Sequence, residues 1–142
     1  MIRTIDETIS VAPQITPEDM PGIAAAGFTA IINNRPDDEE AGQPDAAAIE
    51  AAAKAAGLSY SAIPITPGGF SATQVEAMAE LLAAVDGPVL AFCRSGTRSC
   101  NLWALAQASA GGDPVELTAK AAGAGYDLSG IRPVLDQLSA RA

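Results

Sequence analysis

Val89-Leu90-Ala91-Phe92-Cys93-Arg94-Ser95-Gly96-Thr97-Arg98-Ser99 is the stretch whose reading decides the fold. Its first four residues are all apolar, without alternation, as in a strand buried on both faces. Small and basic residues follow the cysteine, and from Cys100 to about Ser109 the apolar spacing is helical. A doubly buried strand that runs through a short loop into a helix belongs to a parallel sheet covered by helices.

Working outward, the same alternation recurs. Thr8–Val11 reads as a strand, and Thr16-Pro17-Glu18-Asp19 as a capped helix start that continues through Ile23–Ala26 to Gly27. Thr29–Asn33 is another apolar run, followed by the polar loop from Asn34 to Pro44. Asp45 caps a helix through Ala56, Ser59–Ile63 is a third strand, and Ser71 with Gln74 forms a capping box for a helix to about Val85. Val89–Phe92 is the fourth strand, and helical segments over Pro114–Ala124 and Ser129–Ala140 close the chain. The pattern predicts a mostly parallel sheet of four or five strands flanked by helices. With 142 residues, one domain spanning residues 1–142 is expected.

Composition narrows the chemistry. Eight basic residues against 17 acidic give a net charge of −9, which argues against nucleic acid as a partner. No run of 18 apolar residues exists, so no membrane span is expected. Met1–Glu7 carries acids where a leader needs a basic start and an apolar run, so a cytoplasmic location is expected. The chain contains no histidine and two cysteines. Ser-His-Asp and Cys-His catalysis, and four-ligand structural zinc, are thereby excluded, and neither metal nor cofactor is expected.

Ligands of open α/β sheets bind beyond the carboxyl ends of the strands, and Cys93 stands at such an end. The loop after it can turn its backbone N–H groups inward as an anion nest, reinforced by the positive end of the next helix. Gly96 frees one backbone position for a positive φ. Arg94 and Arg98 add two cations, Thr97 and Ser99 can donate hydroxyls, and Ser95 belongs to the same anion-binding set. Such a field favours thiolate over thiol at Cys93, so the sulfur needs no general base, which answers the missing histidine. Arg35 ends a strand and either binds the same anion or pairs with Asp37 or Asp38 to hold its loop. Cys100, early in the following helix, reads as a buried small residue, with a resolving thiol as the other possibility.

Cys93-Arg94-Ser95-Gly96-Thr97-Arg98 resembles the active loop of single-domain rhodaneses, in which a cysteine carrying a persulfide is followed five positions on by arginine. Three further segments are similar to the bacterial family called beta-lactamase hydrolase-like, phosphatase-like domain, whose members are also labelled sulfur transferases. They are Asn33-Asn34-Arg35-Pro36-Asp37 with Gln43-Pro44, Ile63-Pro64-Ile65-Thr66-Pro67-Gly68-Gly69, and the cysteine loop with Trp103-Ala104-Leu105. That resemblance implies a protein-tyrosine-phosphatase-like fold, Cys93 as nucleophile and Arg98 as the anion-binding arginine. It also suggests a sulfur-oxidising metallo-hydrolase-like enzyme as a partner.

Two departures from the tyrosine phosphatases weigh on the choice of chemistry. Four residues, Arg94–Thr97, separate cysteine from arginine where those enzymes have five, which removes one N–H donor. The loop from Pro64 to Phe70 contains no acid to protonate a leaving oxygen, and Asp37, Asp38, Glu39 and Glu40 lie on the other loop. The expectation drawn from the sequence is therefore a sulfurtransferase that moves sulfane sulfur through a Cys93 persulfide. The alternative is a phosphatase working through a cysteinyl-phosphate on the same residue. A non-catalytic anion-binding or sulfur-carrier module is the third possibility. In the first two cases the substrate is a small sulfur or phosphate anion.

Overall fold

A computed structural model describes residues 1–142. The strands are β1 (Arg3–Thr4), β2 (Ile9–Ala12), β3 (Ala30–Asn33), β4 (Ser59–Ala62) and β5 (Val89–Phe92). They form one sheet in the order β1-β2-β5-β3-β4, with β2, β5, β3 and β4 parallel and β1 antiparallel to β2. The expected sheet is present. Its fifth strand is a two-residue edge piece, too short to show a sequence period.

The helices are α1 (Met20–Ala25), α2 (Ala46–Ala55), α3 (Ala72–Ala84), α4 (Thr97–Ser109), α5 (Pro114–Gly123) and α6 (Arg132–Arg141). Short 3-10 turns at Pro17–Asp19 and Ser129–Ile131 precede α1 and α6. The Ser71 capping box forms as expected: Gln74 N–H donates to Ser71 Oγ at 3.2 Å and Ser71 N–H to Gln74 Oε1 at 2.9 Å.

Strand β5 is central, and its side chains divide between two cores by simple alternation. Val89 and Ala91 face a core shared with α3, α4, α5 and α6. Leu90 and Phe92 face a second core with Met20 and Ile23 of α1 and Ile49 and Ala53 of α2. Neighbouring β3 divides likewise, Ile32 to the first core and Ile31 to the second. Burying side chains such as Ile31, Leu90 and Phe92 stabilises the fold by about 1.5–3 kcal/mol each. This two-sided burial fixes the register of β5, and with it the point where Cys93 leaves the sheet.

Candidate active site

The main chain passes from β5 through Cys93 to Gly96, which adopts φ +91° and stands at the N-cap of α4. That left-handed turn lets Gly96 N–H reach back to Cys93 Sγ at 3.1 Å. A Cβ at Gly96 would collide with the Tyr126 hydroxyl, so the position is doubly restricted. Helix α4 begins at Thr97, three residues before the expected Cys100, so its first-turn donors lie within the loop itself. The N–H groups of Arg94, Ser95, Thr97, Arg98 and Ser99 make no hydrogen bond to the protein. Together with the helix dipole they form a cradle suited to an anion beside a fully buried sulfur.

Arg98 is held in a fork. Its Nη1 and Nη2 donate to the two carboxylate oxygens of Glu39 at 2.7 and 2.8 Å, and Nη1 also donates to Ile65 O at 2.6 Å. Glu39 Oε1 accepts in addition from Arg35 Nε at 2.9 Å. The hydrogen bonds from Arg98, then those from Arg35, hold the Glu39 carboxyl down to about 2 against the burial that pushes it up. Glu39 in turn raises the Arg98 guanidinium above its usual range. Glu39, Pro67, Arg94, Ser95 and Arg98 line a cleft of about 420 Å³. A separate concavity of about 350 Å³ between α3, α4 and α6 is lined mostly by apolar side chains and contains neither cysteine.

Several residues singled out in the sequence do other work. Ser99 is fully buried, and its hydroxyl donates to Asn34 Oδ1 at 2.8 Å. It fastens α4 to the end of β3 in place of the expected donation to an anion. Asn34 passes the connection on by donating to Ile63 O at 3.0 Å. Ser95 Oγ donates to Thr97 Oγ1 at 3.1 Å, at the exposed lip of the loop. Arg94 is exposed and meets Glu40 at 3.3 Å.

Arg35 is buried, and it pairs with neither Asp37 nor Asp38. It donates to Glu39 and to Gln14 Oε1 at 3.0 Å, and its Nη2 lies 3.5 Å from Glu40 Oε1. Asp37 is taken up elsewhere, accepting Ala46 N–H at the start of α2 at 2.8 Å. Cys100 is fully buried in the first core, and burial followed by the nearby Cys93 pushes its thiol up to about 12. At that value it stays protonated, as befits a core residue rather than a resolving thiol.

Two contributors escaped the sequence. Glu39 looked like one of four equivalent acids in a solvated turn, and only the tertiary fold places it opposite Arg98. Tyr126, on the turn after α5, donates its hydroxyl proton to Ser95 O at 3.1 Å and so braces the loop from outside. No local pattern marked it.

The parallel sheet, with a cysteine at the end of its central strand and an arginine in the first turn of the next helix, defines a protein-tyrosine-phosphatase-like α/β fold. The chain belongs to the family described as beta-lactamase hydrolase-like protein, phosphatase-like domain, whose model matches residues 1–110. Over 104 residues it is 39% identical to a beta-lactamase hydrolase-like protein of Agrobacterium fabrum, covering 73% of this chain and 24% of that one. A homologue from Xylella fastidiosa is 36% identical over 75% of this chain and 25% of its own. The chain thus spans about a quarter of the length of the curated relatives it matches.

Among solved structures, a candidate phosphatase of Neisseria meningitidis is 37% identical with a TM-score of 0.83, over 96% of this chain and 97% of that one. P. aeruginosa TpbA, solved in complex with phosphotyrosine, shares the fold at a TM-score of 0.67 and 15% identity, over 99% of this chain and 88% of that one. No helix is long and apolar enough to cross a membrane.

Proposed function

We propose that this chain is a cysteine-dependent phosphatase, in which Cys93 attacks phosphorus and Arg98, with the loop N–H groups, binds the phosphoryl oxygens. The observation that carries this reading is the row of unengaged N–H donors between Cys93 and Arg98, beside a guanidinium fixed by Glu39. Three equatorial oxygens gather charge in phosphoryl transfer, and preorganised donors of this kind stabilise it without reorganisation. Arg94 at the lip adds a further cation. Ser95, Gly96 and Thr97 serve through their backbone, and Arg35 positions Glu39 from below. The phosphatase-like family and fold support this reading over sulfur transfer, which the sequence had favoured.

Sulfane sulfur transfer through a Cys93 persulfide stands as the second reading. The four-residue spacing and the acid-free loop from Pro64 to Phe70 favour it. Work beside a metallo-hydrolase-like sulfur-oxidising enzyme belongs to that reading alone. Intact-mass measurement separates the two. Incubation with an activated phosphate ester should leave one phosphoryl group on Cys93, absent in Cys93→Ser. Gain of sulfur atoms from polysulfide, reversed by reductant and with no phosphoryl adduct under any condition, would reverse the assignment.

A further inference from the structure

Attack by the Cys93 sulfur forms an S–P bond and breaks the bond from phosphorus to the leaving oxygen, which departs with the bonding pair. An alkoxide or simple phenoxide leaves poorly in that form, and a positioned acid that protonates it contributes about 10²- to 10⁴-fold. No acid around the cleft is both placed toward a leaving oxygen and free of other partners.

Glu39 is the carboxylate lining the cleft, and both its oxygens are engaged by Arg98 and Arg35. Glu40 turns one oxygen to Arg94 at 3.3 Å and the other to Arg35 at 3.5 Å, so both its oxygens are taken up as acceptors between two cations. Asp37 caps α2. Asp38 is exposed in a left-handed turn, φ 62°, and does not line the cleft. The facing loop brings Pro67 and no acid, histidine is absent, and the Tyr126 proton is given to Ser95 O.

We infer that the site acts on phosphates whose leaving oxygen departs unprotonated, namely acyl phosphates and esters of acidic phenols, in preference to phosphoserine or phosphotyrosine. The inference rests on the phosphatase reading and names its substrate class. A carboxylate leaves with a conjugate-acid pKa of about 4, a tyrosine phenoxide with about 10. In the second half of the reaction water attacks phosphorus and the S–P bond breaks with its electron pair returning to sulfur. Both water protons leave on dihydrogen phosphate, so turnover closes without an added acid.

The test is kcat/KM of the full chain for acetyl phosphate, phosphotyrosine and a series of substituted phenyl phosphates of similar size. From 4-nitrophenyl to unsubstituted phenyl phosphate a fall of about 100-fold or more is expected, and acetyl phosphate should exceed phosphotyrosine by about 1,000-fold or more. The slope within the phenyl series decides. A level series would overturn the inference while leaving the phosphatase reading intact. So would a loss in Glu40→Gln or Asp38→Asn confined to the less acidic phenols, since it would identify the proton donor. No turnover of any of these esters, with no phosphoryl group trapped on Cys93, would remove the phosphatase reading and the inference together.

Discussion

At the residue scale the two cysteines share complete burial and differ in surroundings. Cys93 receives the Gly96 N–H and lies beside Arg98, whereas Cys100 sits among apolar side chains that push its thiol up to about 12. Thiolate is the reactive form, so iodoacetamide near neutral pH should modify Cys93 at least about tenfold faster than Cys100. Peptide mapping after a timed quench reads the ratio, and equal rates would deny Cys93 its role. Arg98→Lys keeps the charge and loses the planar fork that now meets both Glu39 oxygens. Phosphate-ester turnover should drop about 100-fold, or about 3 kcal/mol, with sulfur transfer losing only about tenfold. Comparable losses in the two assays would mean that the fork does not read phosphoryl oxygens. Cys93 and Arg98 were legible because their chemistry is local, six residues at a strand–helix junction. Glu39 was not: Asp37, Asp38, Glu39 and Glu40 are alike in sequence, and only an arginine 59 positions away tells them apart.

At the scale of elements, the decisive feature is where α4 begins. Thr97, Arg98 and Ser99 carry no apolar signal, so the sequence shows the helix only from Cys100, although its first turn is the functional one. Gly96 sets that start with a positive φ, and Tyr126 presses on it from the turn after α5. Gly96→Ala should therefore destabilise the fold by about 2 kcal/mol or more, from left-handed strain plus the collision with the phenol. Tyr126→Phe alone should cost about 1 kcal/mol for the lost bond to Ser95 O. In the double variant part of the collision is gone, so the two effects should fall short of additivity by about 0.5 kcal/mol or more. Denaturant titration of the four proteins measures this, and strict additivity would show that Tyr126 does not brace the loop. Strands β3 and β5 were readable from their unbroken apolar runs. The two residues of β1 offered no period to read, and the order of strands in the sheet follows from crossovers that no single segment encodes.

At the scale of the whole molecule, stability in acid turns on the same carboxylate. With 17 acidic residues against eight basic, the folded chain repels itself at neutral pH. Protonating ordinary carboxylates on the way down toward the sequence pI of about 4.2 relieves that repulsion, so the thermal midpoint should hold or rise slightly from pH 7 to about 5. Below that, Glu39 works in the opposite direction. Its folded pKa is about 2 against an ordinary 4.5, so the unfolded chain takes up its proton first. The stability it contributes is complete above pH 4.5 and is lost as pH falls through 2. Burial, the largest single effect on Asp6, pushes its carboxyl up, but the hydrogen bonds from Thr8 and Lys120 and the Lys120 charge together outweigh it and hold it low, so Asp6 adds to the fall in the same direction. Glu39→Gln should cost about 3 kcal/mol at pH 7, because it strips the buried Arg35 and the half-buried Arg98 of their shared counter-charge. The difference between wild type and variant should then shrink steadily between pH 4.5 and 2, as the native carboxyl itself becomes neutral. Thermal midpoints of both proteins across that range test the point. A constant gap would mean that Glu39 acts through packing and not through its charge, and its place between Arg98 and Arg35 would need another explanation.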